Sequence, residues 1–139
     1  MRRVKPARSA PEVTMLSDYT PMPTLATADP QRSRAFYEGV LGFPPGEAGG
    51  DGVVYRAGAG SFLVYESSFA GTNQATAMSL QCDAGFDDEV RALRDAGVQF
   101  DTFDYEGIEW QDGVAVMGES KSVWFKDPDG NIINVMASA

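Results

Sequence analysis

Hydrophobic and polar residues alternate along several short stretches of the chain, and a period of two is typical of half-buried β-strands. Between positions 61 and 66, Leu63 and Tyr65 fall on one face of such a strand, while Phe62 and Val64 fall on the other. Glycine-rich turns are expected between the strands at 46–60. The other predicted strands begin at Thr24 and at Met78, or lie at 43–47, 52–57, 98–103, 122–126 and 131–136.

Two segments have apolar residues three or four positions apart, which predicts amphipathic helices at 30–41 and 85–96. Asp29 is the expected N-cap of the first helix, and Gly42 and Gly97 are placed to end the two helices. Each helix follows one strand and precedes three more. The pattern therefore predicts an α+β fold made of two related βαβββ modules, which indicates an internal duplication.

The segment 122–135 is predicted to be a β-hairpin with a bulged three-residue turn. Asp127 suits the start of the turn, Pro128 fixes φ at its second position, and Gly130 can adopt the left-handed conformation that closes it. Asp127 then pairs with Asn131, and counting outwards along the strands pairs Trp124 with Asn134. We therefore expect the indole and the amide to share one face of the sheet.

Two motifs resemble the vicinal-oxygen-chelate superfamily, which includes glyoxalase I, the bleomycin and fosfomycin resistance proteins and the extradiol dioxygenases. The segment 24–43, with its Phe-Tyr and Leu-Gly-Phe motifs, is similar to the first strand and helix of that family, and 122–135 is similar to its last hairpin. The resemblance covers about residues 20–136. It implies that the two modules form a half-open barrel of curved sheets around one cavity.

Enzymes of this superfamily hold one divalent metal ion with four side chains, usually His or Glu. The resemblance places those positions at Met22, Leu63, Ala77 and Asn134, and the chain contains no histidine. Thioether, alkyl and amide groups are poor ligands for zinc, nickel, manganese or iron. We therefore expect no metal and no other cofactor, and we regard metal-dependent glyoxalase or dioxygenase activity as absent.

Without a metal, the centre of the barrel is predicted to be a pocket with apolar walls and a few hydrogen-bonding groups, which suits a small molecule. The alternative is that the same side chains fill the barrel as packed core. The residues predicted to line the site are Met22, Thr24, Leu63, Tyr65, Ala77, Ser79, Gln81, Trp124 and Asn134.

The segment 101–120 interrupts the second module and carries several aromatic and acidic residues. A connection of this length is more often functional than a short one, so it is expected to cover the mouth of the pocket and to bring Trp110 to the ligand. Trp110 equally suits a contact between two subunits, together with Phe103 and Ile108. Glu106 and Glu109 can bind a cation, act as bases or remain solvated.

The chain carries a net charge of −9, and the charge is unevenly distributed. Residues 1–14 contain four basic groups and one acidic group, which leaves 7 basic and 19 acidic groups in the rest. Such an acidic domain is a poor match for nucleic acid and a better match for a cationic small molecule, and the alternative is that the acidic surface serves only solubility. We expect no membrane partner. The single cysteine, Cys82, and the lack of a signal-peptide pattern favour a cytoplasmic location.

These features predict an N-terminal arm over residues 1–18 and one glyoxalase-like domain over 19–139, with module one at about 20–70 and module two at about 75–137. The first functional hypothesis is a metal-free, homodimeric protein that binds a small aromatic or cationic molecule, with drug sequestration as its role. The second is a lyase or another enzyme that uses metal-free acid–base chemistry through Tyr65, Glu66 or the loop carboxylates. The third is a packed domain with a structural or regulatory role.

Overall fold

A computed structural model describes residues 15–138, and its first module follows the predicted order of strand, helix and three strands. The Asp29 carboxylate accepts a hydrogen bond from the Arg32 amide and caps the helix, and Pro30 occupies its first turn. The elements of this module, after a short 3-10 turn at Leu16–Asp18, are β1 (Thr24–Thr27), α1 (Pro30–Arg34, continuing as a π-helix over Ala35–Val40), β2 (Glu47–Gly49), β3 (Gly52–Ala57) and β4 (Gly60–Glu66).

The first module forms a four-stranded mixed sheet in the order β1-β4-β3-β2. Strands β1 and β4 are parallel, and the two hairpins β2–β3 and β3–β4 are antiparallel. The glycine-rich segment 46–60 supplies the turns of these hairpins, as the sequence predicts. Gly50 and Gly58 both have positive φ values, which glycine adopts without steric cost.

The second module repeats this arrangement with one strand more than predicted. Its sheet has the order β5-β9-β8-β7-β6, so β7, β8 and β9 correspond to β2, β3 and β4, and β6 is an additional edge strand. The elements are β5 (Thr76–Gln81), α2 (Phe86–Asp95), β6 (Glu109–Gln111), β7 (Val114–Met117), β8 (Ser120–Lys126) and β9 (Ile132–Ala137).

The segment 98–103 is not a strand, which differs from the prediction. It reaches the sheet through a hydrogen bond from the Asp101 amide to the Trp124 carbonyl, 2.8 Å long, and pairs no further. The third strand comes instead from the β6–β7 hairpin. Its turn residues, Asp112 and Gly113, have φ values of 51° and 83°. Two successive positive φ values match the twist of adjoining strands, which makes this hairpin favourable.

The predicted final hairpin is confirmed. The Asp127 amide donates to the Asn131 carbonyl at 2.9 Å, Gly130 has a φ of 85°, and Trp124 lies opposite Asn134 across β8 and β9. The helices predicted at 30–41 and 85–96 are confirmed as well, although the second half of the first helix is wider than an α-helix because Leu41 bonds back to Phe36.

One continuous hydrophobic core runs through both modules. It contains one face of each sheet together with the inward faces of the helices, and the two sheets remain open rather than closing into a barrel, which confirms the predicted α+β class with curved, half-open sheets. The core residues are Leu25, Tyr37, Tyr55, Phe62, Val64, Met78, Phe86, Val90, Leu93, Val123, Phe125, Ile133, Val135 and Ala137.

The predicted N-terminal arm, residues 1–18, lies mostly outside the described residues, so its boundary stays a prediction. Within residues 15–138, no helix has the length and apolar character needed to cross a bilayer.

Candidate functional site

An aromatic cluster lies on the face of the second sheet that points away from the core. In the cluster, Phe103 contacts Trp124 edge to face at 5.0 Å between ring centroids and Trp110 at 5.3 Å. The two indoles are 6.2 Å apart. Trp110 comes from the additional strand β6, and its indole N–H donates to the Phe103 carbonyl at 3.2 Å. The unpredicted hairpin therefore brings Trp110 to Trp124.

Polar side chains lie beside this cluster. Asn134 pairs with Trp124 on one side and with Ser79 of β5 on the other, so all three belong to one face. Asn134 is buried, and its amide nitrogen donates to the Val123 carbonyl at 3.1 Å. Such a bond fixes the orientation of the amide, so Asn134 can present one defined set of polar atoms to a ligand.

The first sheet has a comparable face. Thr24 pairs with Leu63 and Ala26 with Tyr65, and both Leu63 and Tyr65 are half-buried. Their neighbours on β4 point into the core, as the period of two predicts. Met22 precedes β1 and is 44% exposed. Met22, Thr24, Leu63 and Tyr65 are therefore associated with the first sheet.

Ala77 is placed differently from its predicted neighbours. Thr76 pairs with Ile132 and Met78 with Ile133, so Ala77 is an extra residue in a β-bulge and packs against the core. The bulge interrupts the alternation that would put Ala77 on the same face as Ser79.

The predicted site residues form two open sheet faces within one chain. Five clefts along residues 15–138 are lined by other side chains. None of these clefts lies between the two faces, so the faces that carry the predicted residues do not enclose a cavity by themselves.

The positions implied for a metal ion do not fit one. The side chains of Leu63 and Ala77 have no donor atom, Ala77 packs against the core, and Asn134 offers only a neutral amide oxygen. Within residues 15–138, no group of three or more His, Cys, Asp or Glu side chains is arranged to hold a metal. A divalent metal needs carboxylate, imidazole or thiolate ligands, so the chemistry of these residues disagrees with a metal centre.

A buried polar network joins the two modules, and sequence reasoning missed it. The Tyr37 hydroxyl of module one donates to the Asp127 carboxylate at 2.7 Å, and the same oxygen accepts from the Asn131 amide at 2.8 Å. Asp129 accepts from the Arg32 guanidinium at 2.9 Å and from the Ala28 amide at 2.8 Å. The turn that looks like an ordinary hairpin connection therefore holds the modules together.

Burial and the Asp127 carboxylate raise the pKa of Tyr37 well above its usual range. A second buried tyrosine, Tyr55, donates to Glu38 at 2.9 Å, and burial followed by this bond raises the pKa of Tyr55 to about 12. Both hydroxyls stay protonated at neutral pH and act as hydrogen-bond donors.

Comparison with known proteins gives the same fold. Residues 20–135 match the model of the Glyoxalase/Bleomycin resistance protein/Dioxygenase superfamily. The solved structure of bleomycin-binding protein complexed with bleomycin has a TM-score of 0.65 at 18% identity, covering 87% of this chain and 99% of that one. No curated protein matches the sequence.

Two further structures are similar. The fosfomycin resistance protein FosX from Mesorhizobium loti has a TM-score of 0.62 at 14% identity, covering 88% of this chain and 93% of that one. An integron cassette protein from the mobile metagenome of V. cholerae has a TM-score of 0.58 at 22% identity, covering 87% and 97%. The matched model spans most of the chain, from β1 to β9. This protein therefore belongs to the glyoxalase/bleomycin resistance protein/dioxygenase superfamily.

Proposed function

We propose that this protein binds a small aromatic or cationic molecule without a metal ion, at the exposed sheet face that carries Trp110, Trp124 and Asn134. Sequestration of a drug or a toxic metabolite is the role that such a site supports. The observation that carries the proposal is the aromatic cluster itself, which places two indoles and a phenyl ring beside a buried amide on an open surface.

The chemistry of this face suits a planar ligand. Aromatic rings attract other rings and cations through their faces, and these contacts act in addition to the burial of apolar area. Asn134 and Ser79 supply hydrogen-bonding groups next to Trp124, which would orient a ligand. The net charge of −9 raises the local concentration of cations. The structure of bleomycin-binding protein with bleomycin supports a drug ligand for this fold.

A homodimer would complete the site. The faces that carry Leu63 and Tyr65 on one sheet and Trp124 on the other are open in the single chain, and each exposes apolar groups. Pairing with a second copy would cover such a face and leave a groove between subunits.

Acid–base catalysis has weaker support. Tyr65 and Glu66 are the residues that would perform it on β4, but they are consecutive in a strand and therefore point to opposite faces. An acid and a base that act on one substrate must reach the same atoms.

Tryptophan fluorescence can test binding directly, because both tryptophans of the chain belong to the cluster. We expect titration with bleomycin to change the emission of the purified protein, with the same affinity in the presence and absence of EDTA. Trp124→Ala should weaken binding, measured by calorimetry, by roughly tenfold or more, because it removes ring contacts together with buried area.

Phe69→Ala is the matched control, because Phe69 is also an exposed aromatic residue, at 74%, but lies in the loop between β4 and β5. It should leave the affinity unchanged. An affinity that is equally insensitive to Trp124→Ala would show that the ligand binds elsewhere. Binding that EDTA abolishes would contradict the metal-free site.

A further inference from the structure

An apolar cleft, separate from the aromatic face, lies where the two modules meet. Module one contributes the residues that follow α1 and the turn between β3 and β4, and module two contributes β5, α2, β8 and β9. The cleft has a volume of about 220 Å³. It is lined by Leu41, Phe43, Ala57, Gly58, Leu80, Cys82, Glu89, Leu93, Phe125 and Val135.

The walls of this cleft are apolar and well supported. Phe125 and Val135 are 1% and 6% exposed and belong to paired central strands, and Leu93 on the inner face of α2 is 8% exposed. Side chains that are closely packed in the core keep their positions, so the cleft stays open. An engineered apolar cavity of about 150 Å³ accommodates benzene. The cleft is therefore large enough for a molecule with one aromatic ring.

One charged group lies among these apolar side chains. Glu89 is the single carboxylate of the ten lining residues, and none of them is Lys or Arg. Within residues 15–138, its neighbours on the helix, Asp87 and Asp88, form ion pairs with Lys121 and Arg91, while Glu89 forms none. An apolar cleft with one free negative charge is complementary to a ring that carries an ammonium group.

We propose that this cleft is a second ligand site, which takes a one-ring hydrophobic amine with its ring against Leu93 and Phe125 and its ammonium group at Glu89. The site is separate from the aromatic face described above, because the two share no lining residue. Its existence does not depend on the proposed function.

Cys82 provides a reporter for occupancy, because it is the only cysteine of the chain and lines the cleft in a half-buried position. A bound ligand should shield the thiol from a small alkylating reagent. The probes are benzylamine, which is protonated at pH 7, and benzyl alcohol, its neutral counterpart of nearly equal size. Free cysteine under the same conditions controls for direct effects of the probe on the reagent.

We expect millimolar benzylamine to slow the alkylation of Cys82 by iodoacetamide and to raise the melting temperature, because binding to the native state stabilises it. Benzyl alcohol should protect more weakly. Glu89→Gln should weaken the binding of benzylamine by up to about fivefold, which is the range of an exposed ion pair. It should leave the binding of benzyl alcohol unchanged. Asp88→Asn removes an equal charge from the same helical turn outside the cleft, so it should change the affinity for neither probe.

Ala57→Leu should fill the cleft and abolish protection by both probes, while Trp124→Ala, which alters only the aromatic face, should preserve it. The wild-type protein and the two charge variants decide the question even if Ala57→Leu does not fold. Alkylation of Cys82 at an unchanged rate in millimolar benzylamine would overturn the proposal. An equal loss of benzylamine affinity in Glu89→Gln and Asp88→Asn would overturn it as well.

Discussion

Tyr37 and Tyr55 are two buried tyrosines of module one whose hydroxyl groups have different surroundings. The Tyr37 hydroxyl bonds to Asp127, which is 5% exposed, whereas the Tyr55 hydroxyl bonds to Glu38, whose side chain is 22% exposed. Water can replace the lost partner at Glu38 more easily than at Asp127. The Tyr37 hydrogen bond at the junction of the modules therefore contributes more to stability than the Tyr55 hydrogen bond.

We expect Tyr37→Phe to lower the free energy of unfolding by about 1.5–3 kcal/mol, the range of a buried hydrogen bond to a charged group. The measurement is equilibrium unfolding in urea at pH 7, analysed for the midpoint and the slope. Tyr55→Phe is the matched control, since it removes the same atom from the same aromatic core. Tyr55→Phe should lower the free energy of unfolding by less than Tyr37→Phe does. A larger decrease for Tyr55→Phe would contradict a stabilising role of the hydrogen bond at the junction.

The alternation of hydrophobic and polar residues predicts the sheet face of some side chains but not of others. The period of two correctly separates Leu63 and Tyr65 from Phe62 and Val64, because it depends only on local backbone geometry. It fails at Ala77, where a bulge shifts the pairing. A bulge depends on the partner strand, so the sequence of β5 alone does not predict it.

Among the elements, strong local signals predict the first helix and the final hairpin. Asp29 and Pro30 determine where α1 begins, and the turn at Asp127 determines the register of β8 and β9. The β6–β7 hairpin has an equally local signal in Asp112-Gly113, a dipeptide that favours two-residue hairpin turns. The alternation of hydrophobic and polar residues does not reveal this hairpin, because its strands span only Glu109–Gln111 and Val114–Met117 and are too short to show a period of two.

Gly113→Ala tests whether this hairpin positions Trp110. Gly113 has a φ of 83°, and an added Cβ would lie 3.3 Å from Phe100, so we expect a cost of about 1–2 kcal/mol concentrated in the turn. The emission of the two tryptophans should shift to longer wavelength as Trp110 moves away from Trp124 into water.

Gly107→Ala provides the matched control, because Gly107 has a φ of 91° in the preceding connection and an added Cβ there meets no neighbour. Its strain should be similar and its emission spectrum unchanged. An unshifted spectrum for Gly113→Ala, in a protein shown by calorimetry to be destabilised, would mean that the hairpin does not position Trp110.

At the scale of the whole molecule, local sequence patterns predict which side chains share a sheet face but not how the two faces are placed relative to each other. Trp124 and Asn134 are neighbours because adjacent strands place them together, which turn chemistry can predict. The distance between the Leu63 face and the Trp124 face depends on how the modules pack. The bonds from Tyr37 to Asp127 and from Asn131 to the Ala26 carbonyl hold the modules together across 90 and 105 residues of sequence, and no local pattern reports such contacts.

The open faces lead to the expectation of a homodimer. Phe103 is 43% exposed in a cluster with both tryptophans, and Met22 and Met117 are 44% and 37% exposed. Aromatic and methionine side chains are enriched where subunits meet, and an exposed aromatic cluster such as that of Phe103 is typical of an interaction surface. A closed twofold arrangement would cover the same face on both subunits.

Light scattering after size-exclusion chromatography at micromolar concentration should therefore give the mass of two chains. Phe103→Glu should yield the monomer, because a charge at the centre of an apolar interface loses its hydration without gaining a partner. Phe69→Glu adds the same charge at a residue that is 74% exposed, outside both sheets, and should remain a dimer. A monomeric wild-type protein would contradict the dimer and would require the ligand to bind an open face of one chain. A dimer that tolerates Phe103→Glu would place the contact between subunits away from the aromatic cluster and leave that face accessible to ligand from solvent.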